Sequence, residues 1–170
     1  MKEITAEKII ELMFLPITDI KVVETLDTLG MEQPSLDEEY EMEGRVWTEG
    51  EEVSGIVICF ERTDTHSEDG EPVVTQIDFY EEHKVIFPLN LHKDDDYSTV
   101  IEKIGREPDF CTKPMPWSKK WVFLFGEKEI GVGVNFQKDM KSINNIIVQE
   151  FNRERVETSE FVFPCKELEE

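Results

Sequence analysis

Basic residues are scarce in this chain. Lys and Arg number 18 against 39 Asp and Glu, a formal net charge of −21. A surface so charged repels phosphates, which argues against nucleic acid or an anionic membrane as a ligand. Cysteine is scarce too. Cys59, Cys111 and Cys165 form no CxxC, and none pairs with a histidine at zinc-ligand spacing. An odd cysteine count without a leader fits a reducing cytoplasm, and Cys59, inside the apolar run IVICF, reads as a core thiol. No apolar run approaches the roughly 18 residues of a membrane span. MKEITAEKIIELMF at the N-terminus carries acidic residues inside its apolar stripe, so it does not read as a signal peptide. The expected location is cytoplasmic, with no membrane contact.

Catalytic signatures are missing as well. There is no GxSxG, and His66, His83 and His92 share no sequence context with a nucleophile. No GxxxxGK[ST] loop occurs, and GVGV at 131–134 lies within an expected strand, where it cannot cradle a phosphate. Asp94, Asp95 and Asp96 lack the spaced ligands of a calcium loop and read better as the cap of a helix. Glu82-His83-Lys84, with Asp78 upstream, has the ExK spacing of metal-dependent nucleases. Such triplets are common in a chain that is 34% charged, and the net charge would repel the substrate's phosphates. Neither a cofactor, a metal nor an enzymatic activity is expected.

What the chain does contain is a core. It is 39% apolar, with 11 Phe and 3 Trp in 170 residues, too hydrophobic for a disordered acidic tail. Its segments also pair off in the same order at offsets near 70–76 residues, the pattern of an internal repeat. FLPI (14–17) resembles FPLN (87–90), and TLDTLGMEQP (25–34) resembles VIEKIGREP (100–108). GIVICFERTD (55–64) resembles GVGVNFQKD (131–139), and VTQIDFYEE (74–82) resembles INNIIVQEF (143–151).

Each copy reads as a helix followed by three strands. Thr18 or Asp19 caps a first helix with apolar positions at Ile20, Val23, Leu26 and Leu29, and Gly30 stops it. Asp96 or Ser98 caps a second, with Val100, Ile101 and Ile104, stopped by Gly105. Strands are expected near 38–48, 53–62 and 72–81, and again near 118–125, 129–137 and 142–150. EFVF in the C-terminal tail suits an added edge strand. Gly131 and Gly133 face one way on their strand, which predicts a close neighbour: a packed element or a docking surface. The expected fold is α+β: two tandem helix-plus-three-strand antiparallel repeats with an extra N-terminal helix. The expected division is 1–86 and 87–170, within one compact structure.

The charge is not shared evenly between these halves. Residues 1–88 hold 23 acidic and 6 basic side chains, a net of −17, whereas residues 89–170 have a net of −4. Nothing in a repeated fold demands that asymmetry. Its densest expression is SLDEEYEMEGRVWTEGEE at 35–52. Read as a strand, period two puts Asp37, Glu39, Glu41 and Glu43 on one face, followed by Arg45 and Trp47. Like charges on one strand face repel, so such a face is either fully solvated or kept for something basic. Trp47 amid carboxylates has the composition of a hot spot for Lys and Arg. The candidate partner-binding residues are Asp37, Glu39, Glu41, Glu43, Trp47, Glu49, Glu51 and Glu52.

In length, acidity, aromatic content, short α+β repeat and want of a catalytic motif, the chain resembles the immunity proteins of bacterial polymorphic and contact-dependent growth inhibition toxins. The helix-plus-hairpin repeat is also similar in outline to the tandem units of β-lactamase-inhibitor-like proteins. The resemblance to immunity proteins implies a one-to-one inhibitor of a basic cognate toxin, a nuclease in the first instance, without catalysis. A DNA-mimic protein and a metal-dependent enzyme at Asp78, Glu82 and Lys84 are the alternatives.

Overall fold

In a computed structural model, residues 4–49, 54–62, 71–83, 85–154 and 162–165 are described. The fold is α+β, with antiparallel strands, and the chain divides into two units, Met1–Pro88 and Leu89–Glu170.

The first unit opens with α1, Ala6–Ile10, whose cap Thr5 accepts the Lys8 N–H at 3.2 Å. An extended stretch follows, in which Phe14 N–H donates to Val74 O and Ile17 N–H to Pro72 O. Next comes α2, Ile20–Leu29. Asp19 caps it, accepting Lys21 N–H at 2.8 Å, and Gly30 ends it in the left-handed region at φ 71°. The buried stripe of α2 is Val22, Leu26 and Leu29. Ile20 is 64% exposed, so the stripe predicted through Ile20 and Val23 is rotated by about one residue. The unit's sheet runs β1 (Arg45–Trp47), β2 (Ile56–Glu61), β3 (Val73–Phe79). Ile56, Ile58, Phe60, Ile77 and Phe79 form its core, together with Ile9, Leu12, Met13 and Ile17. Cys59 is a free, buried thiol, pushed up to about 12 by burial and then by the charge of Glu61, as suits an inert core residue.

The strand expected at 38–48 is the main departure. Residues Glu38–Glu43 form a helix, α3, and only Arg45–Trp47 is extended. Glu and Met are good helix formers, Glu is a poor strand former, and Asp37 stands at the cap position. Its carboxylate accepts the Tyr40 N–H at 3.2 Å. Gly44, at φ 71°, ends the helix with its N–H on Tyr40 O at 2.7 Å.

The second unit contains α4 (Tyr97–Ile104), capped by Asp96 and stopped by Gly105 at φ 89°. Its strands are β4 (Phe110–Thr112), β5 (Ser118–Phe125), β6 (Lys128–Phe136), β7 (Ile143–Glu150) and β8 (Val162–Pro164). They pair in the order β7-β6-β5-β4-β8. Val162 and Phe163 of the EFVF segment thus lie in an edge strand, β8, beside a short strand, β4, that lay outside the expected pattern; Glu160 and Phe161 are outside the described residues. Trp121 is fully buried on β5, its indole N–H on Arg106 O at 3.0 Å. On the opposite face, the neighbour of Gly131 is the aliphatic stem of Lys120, which a Cβ at position 131 would meet at 3.1 Å. Burial lowers the pKa of that lysine.

Cys111 and Cys165 form a disulfide with Cα atoms 5.1 Å apart, tying the end of β8 to β4 across 54 residues of sequence. Cysteine spacing alone gave no sign of this pairing. Closing a loop of that size stabilises a fold by about 4 kcal/mol through the unfolded chain. Reduction, or Cys165→Ser, should therefore lower the unfolding free energy by about 2–4 kcal/mol, measured by urea denaturation with and without a phosphine reductant. Gly55 offers a sharper test. It sits at φ 75°, and a Cβ there would overlap the carbonyl oxygen of Glu81. Its own carbonyl accepts the N–H groups of Tyr80 and Glu81. Gly55→Ala should cost on the order of 3 kcal/mol or more in the same assay, because backbone strain and a backbone clash coincide.

Candidate functional site

A groove of about 420 Å³ lies within the first unit. Residues 32–35 line one side, residues 45–49 line another, and Asp37, Tyr40 and Glu43 complete it. The local sequence explains why these segments meet. Gly30 ends α2, Pro34 keeps the return segment extended, Asp37 starts α3, and Gly44 turns the chain directly into β1.

The lining is acidic. Among the described residues it holds Glu32, Asp37, Glu43 and Glu49 against one cation, Arg45. Arg45 pairs with Glu61 at 3.6 Å across β1 and β2, an exposed contact of about 0–1 kcal/mol. Among the described residues, Glu32, Glu43 and Glu49 make no ion pair. Trp47 is 39% exposed and supplies the aromatic surface. Tyr40 is only 4% exposed, and its hydroxyl has no hydrogen-bond partner among the described residues. The Arg62 guanidinium lies 5.8 Å from its ring centroid and pairs with Glu41 at 3.6 Å. Burial raises the Tyr40 phenol above its ordinary value, against the pull of Arg62. Beside the groove, Met42, a thioether 87% exposed, shares a shallow recess with Asp37, Glu38 and Glu43.

The sequence-predicted residues divide accordingly. Asp37, Glu43, Trp47 and Glu49 come together on the groove. Glu41 is apart from it, paired with Arg62. Glu39 lies in α3, and its side chain is outside the described residues, as are Glu51 and Glu52 entirely. The common strand face proposed for Asp37, Glu39, Glu41 and Glu43 does not exist, because residues two apart on a helix point to nearly opposite sides. Sequence reasoning missed Glu32 and the 32–35 wall. The readable signal was Gly30 followed by Pro34, a helix stop and an extended return that bring this segment back beside the acidic stretch.

The alternative centre at Asp78 is built differently. Asp78 is buried; Gln76 Nε2 donates to one carboxylate oxygen at 2.9 Å and Tyr80 Oη to the other at 3.2 Å. These bonds satisfy a buried charge. Lys84 lies outside the described residues. Among the described residues, no group of three or more His, Cys, Asp or Glu is arranged to hold a metal ion, and no helix is long and apolar enough to cross a membrane. Comparison with family models, curated proteins and solved structures finds no match to this chain.

The groove separates two roles that carboxylates play here. Asp37→Ala removes the cap of α3 and should lower stability by about 1 kcal/mol. Glu43→Ala, at the exposed end of α3, should change it by less than about 0.5 kcal/mol. Paired denaturation curves check this; equal costs would refute the division.

Proposed function

We propose that this protein is a non-catalytic inhibitor that captures a basic protein with the acidic groove of its first unit. The observation that carries the reading is the lining, which among the described residues has four carboxylates, a half-exposed indole and one guanidinium, paired with Glu61. Lysine and arginine side chains suit such a lining through charge and through the face of the indole. A chain carrying −17 in one half also steers a cationic partner to that half, which speeds association.

The class of partner that fits best is a toxin with a cationic active site, a nuclease above all, and the class of function is immunity. Carboxylates on the inhibitor would stand in for substrate phosphates. The expected cytoplasmic location belongs to this reading, and the Cys111–Cys165 disulfide, a bond typical of oxidising compartments, runs against it. The helix-plus-three-strand repeat is part of the same proposal. Its support is that each unit has an Asp-capped helix stopped by a left-handed glycine, followed by antiparallel strands.

The test is a double charge reversal, Glu43→Lys with Glu49→Lys. Lysine in the last turn of α3 is favourable to the helix, so the fold should be retained. Tagged wild-type protein should retain one basic protein from its native host, shed it as salt rises, and inhibit its activity at one-to-one stoichiometry. The double variant should bind that protein about 100-fold or more weakly by calorimetry. Undiminished affinity would refute the acidic-groove reading, and capture of many DNA-binding proteins would favour a DNA mimic.

A further inference from the structure

The groove follows the open edge of a strand. Side chains alternate along a strand, so a pocket above one face of β1 would be lined by every second residue. Here all five residues from 45 to 49 line it. A recess that touches consecutive residues runs beside the backbone. β2 occupies one edge of β1, so the groove lies along the other.

The register identifies which backbone groups face it. Gly44 O accepts the Arg62 N–H, and Thr48 N–H donates to Ile58 O. Even-numbered positions of this segment therefore point to β2. In an antiparallel ladder the alternate positions point away. The N–H and C=O groups of Arg45 and Trp47 consequently face the groove, and among the described residues they have no backbone partner. Tyr40, whose buried hydroxyl has no partner among the described residues, lines the same groove. Carboxylates flank this edge: Asp37 from the cap position of α3, Glu43 from its end, Glu32 from the return segment, and Glu49 just beyond the strand.

We infer that the groove takes an extended, basic segment of the partner protein as an added strand on β1. Backbone hydrogen bonds to Arg45 and Trp47 would hold the segment, while Lys or Arg side chains would lie against Trp47 and the carboxylates. Such pairing gives affinity through the main chain and selects sequence through alternate side chains. The inference rests on the basic-partner reading above and specifies how that partner is held.

The probe is an acetylated, amidated heptapeptide alternating lysine and valine, added to the full chain at low salt. Amide hydrogen exchange is followed by NMR. In the free protein, Arg45 and Trp47 should exchange much faster than Val46 and Thr48. At saturating peptide their protection should rise about ten-fold or more, with the α2 amides unchanged. Binding without added protection at Arg45 and Trp47 would overturn strand addition and leave the acidic-groove reading standing. Failure of the peptide to bind would also overturn it, and so would protection of the two amides before peptide is added. The calorimetric comparison of the Glu43→Lys, Glu49→Lys variant with its captured partner judges the broader reading separately.

Discussion

Gly44 is the joint on which the acidic region depends. Its N–H closes the last turn of α3 on Tyr40, and its carbonyl takes the Arg62 N–H that begins pairing with β2. One residue thus stops a helix and registers a strand. That requires φ near 71°, where a side chain is strained and glycine is not. Because the turn is so short, Glu43 at the end of the helix and residues 45–49 border the same groove. A longer connection would separate the carboxylates from the indole and from the strand edge. The burial of Tyr40 in α3, next to that turn, fixes the helix against the rest of the unit.

The parts of this fold that were legible in the sequence are those where local chemistry and burial agree. Asp19 with Gly30, and Asp96 with Gly105, announce their helices because a cap and a left-handed stop bracket an apolar stripe. β5, β6 and β7 are long, rich in apolar residues (in alternation along β6, in consecutive runs on β5 and β7) and meet at short turns, so their bounds can be read closely. The acidic stretch was misread because two patterns overlap there. Glu at every second position mimics a strand face, while the residue types favour a helix. Propensity and capping outweighed periodicity, since no buried sheet face enforces period two at residues 38–43. Four of the nominated binding residues still meet on the groove, because a helix followed at once by a strand keeps sequence neighbours close. The return wall at 32–35 and the Cys111–Cys165 pair depend on how the chain folds back, which local patterns do not encode.

Charge divides the two units more sharply than architecture does. Both bury apolar strands and end a capped helix on glycine. In the second unit the prominent charges serve local structure. Arg106 donates to Asp109 at 2.6 Å and to Val122 O at 2.6 Å, and the Asp109 carboxylate accepts the Val122 N–H at 2.8 Å. Lys103 bridges Asp95 and the carbonyl of Asn90. Such short, cross-connected bonds hold loops to the sheet. The groove carboxylates Glu32, Glu43 and Glu49 have no comparable ion-pair partners among the described residues. Four acids converging there oppose one another, a cost that cap formation at Asp37 explains for only one of them.

The same repulsion solves a problem that an open edge creates. A strand with unpaired backbone groups invites pairing with a second copy of itself, and proteins block such edges with short strands and charge. β1 is three residues long and bordered by carboxylates. Two copies meeting edge to edge would bring four carboxylates against four, at a separation where desolvated like charges repel by several kcal/mol. A basic segment meets attraction at the same edge. Under the proposed reading, charge would select among occupants before any side chain is read, disfavouring a second copy and favouring a cation-rich strand through one arrangement of residues. Trp47, 39% exposed beside these carboxylates, is the apolar surface that such a guard would keep from pairing with a second copy.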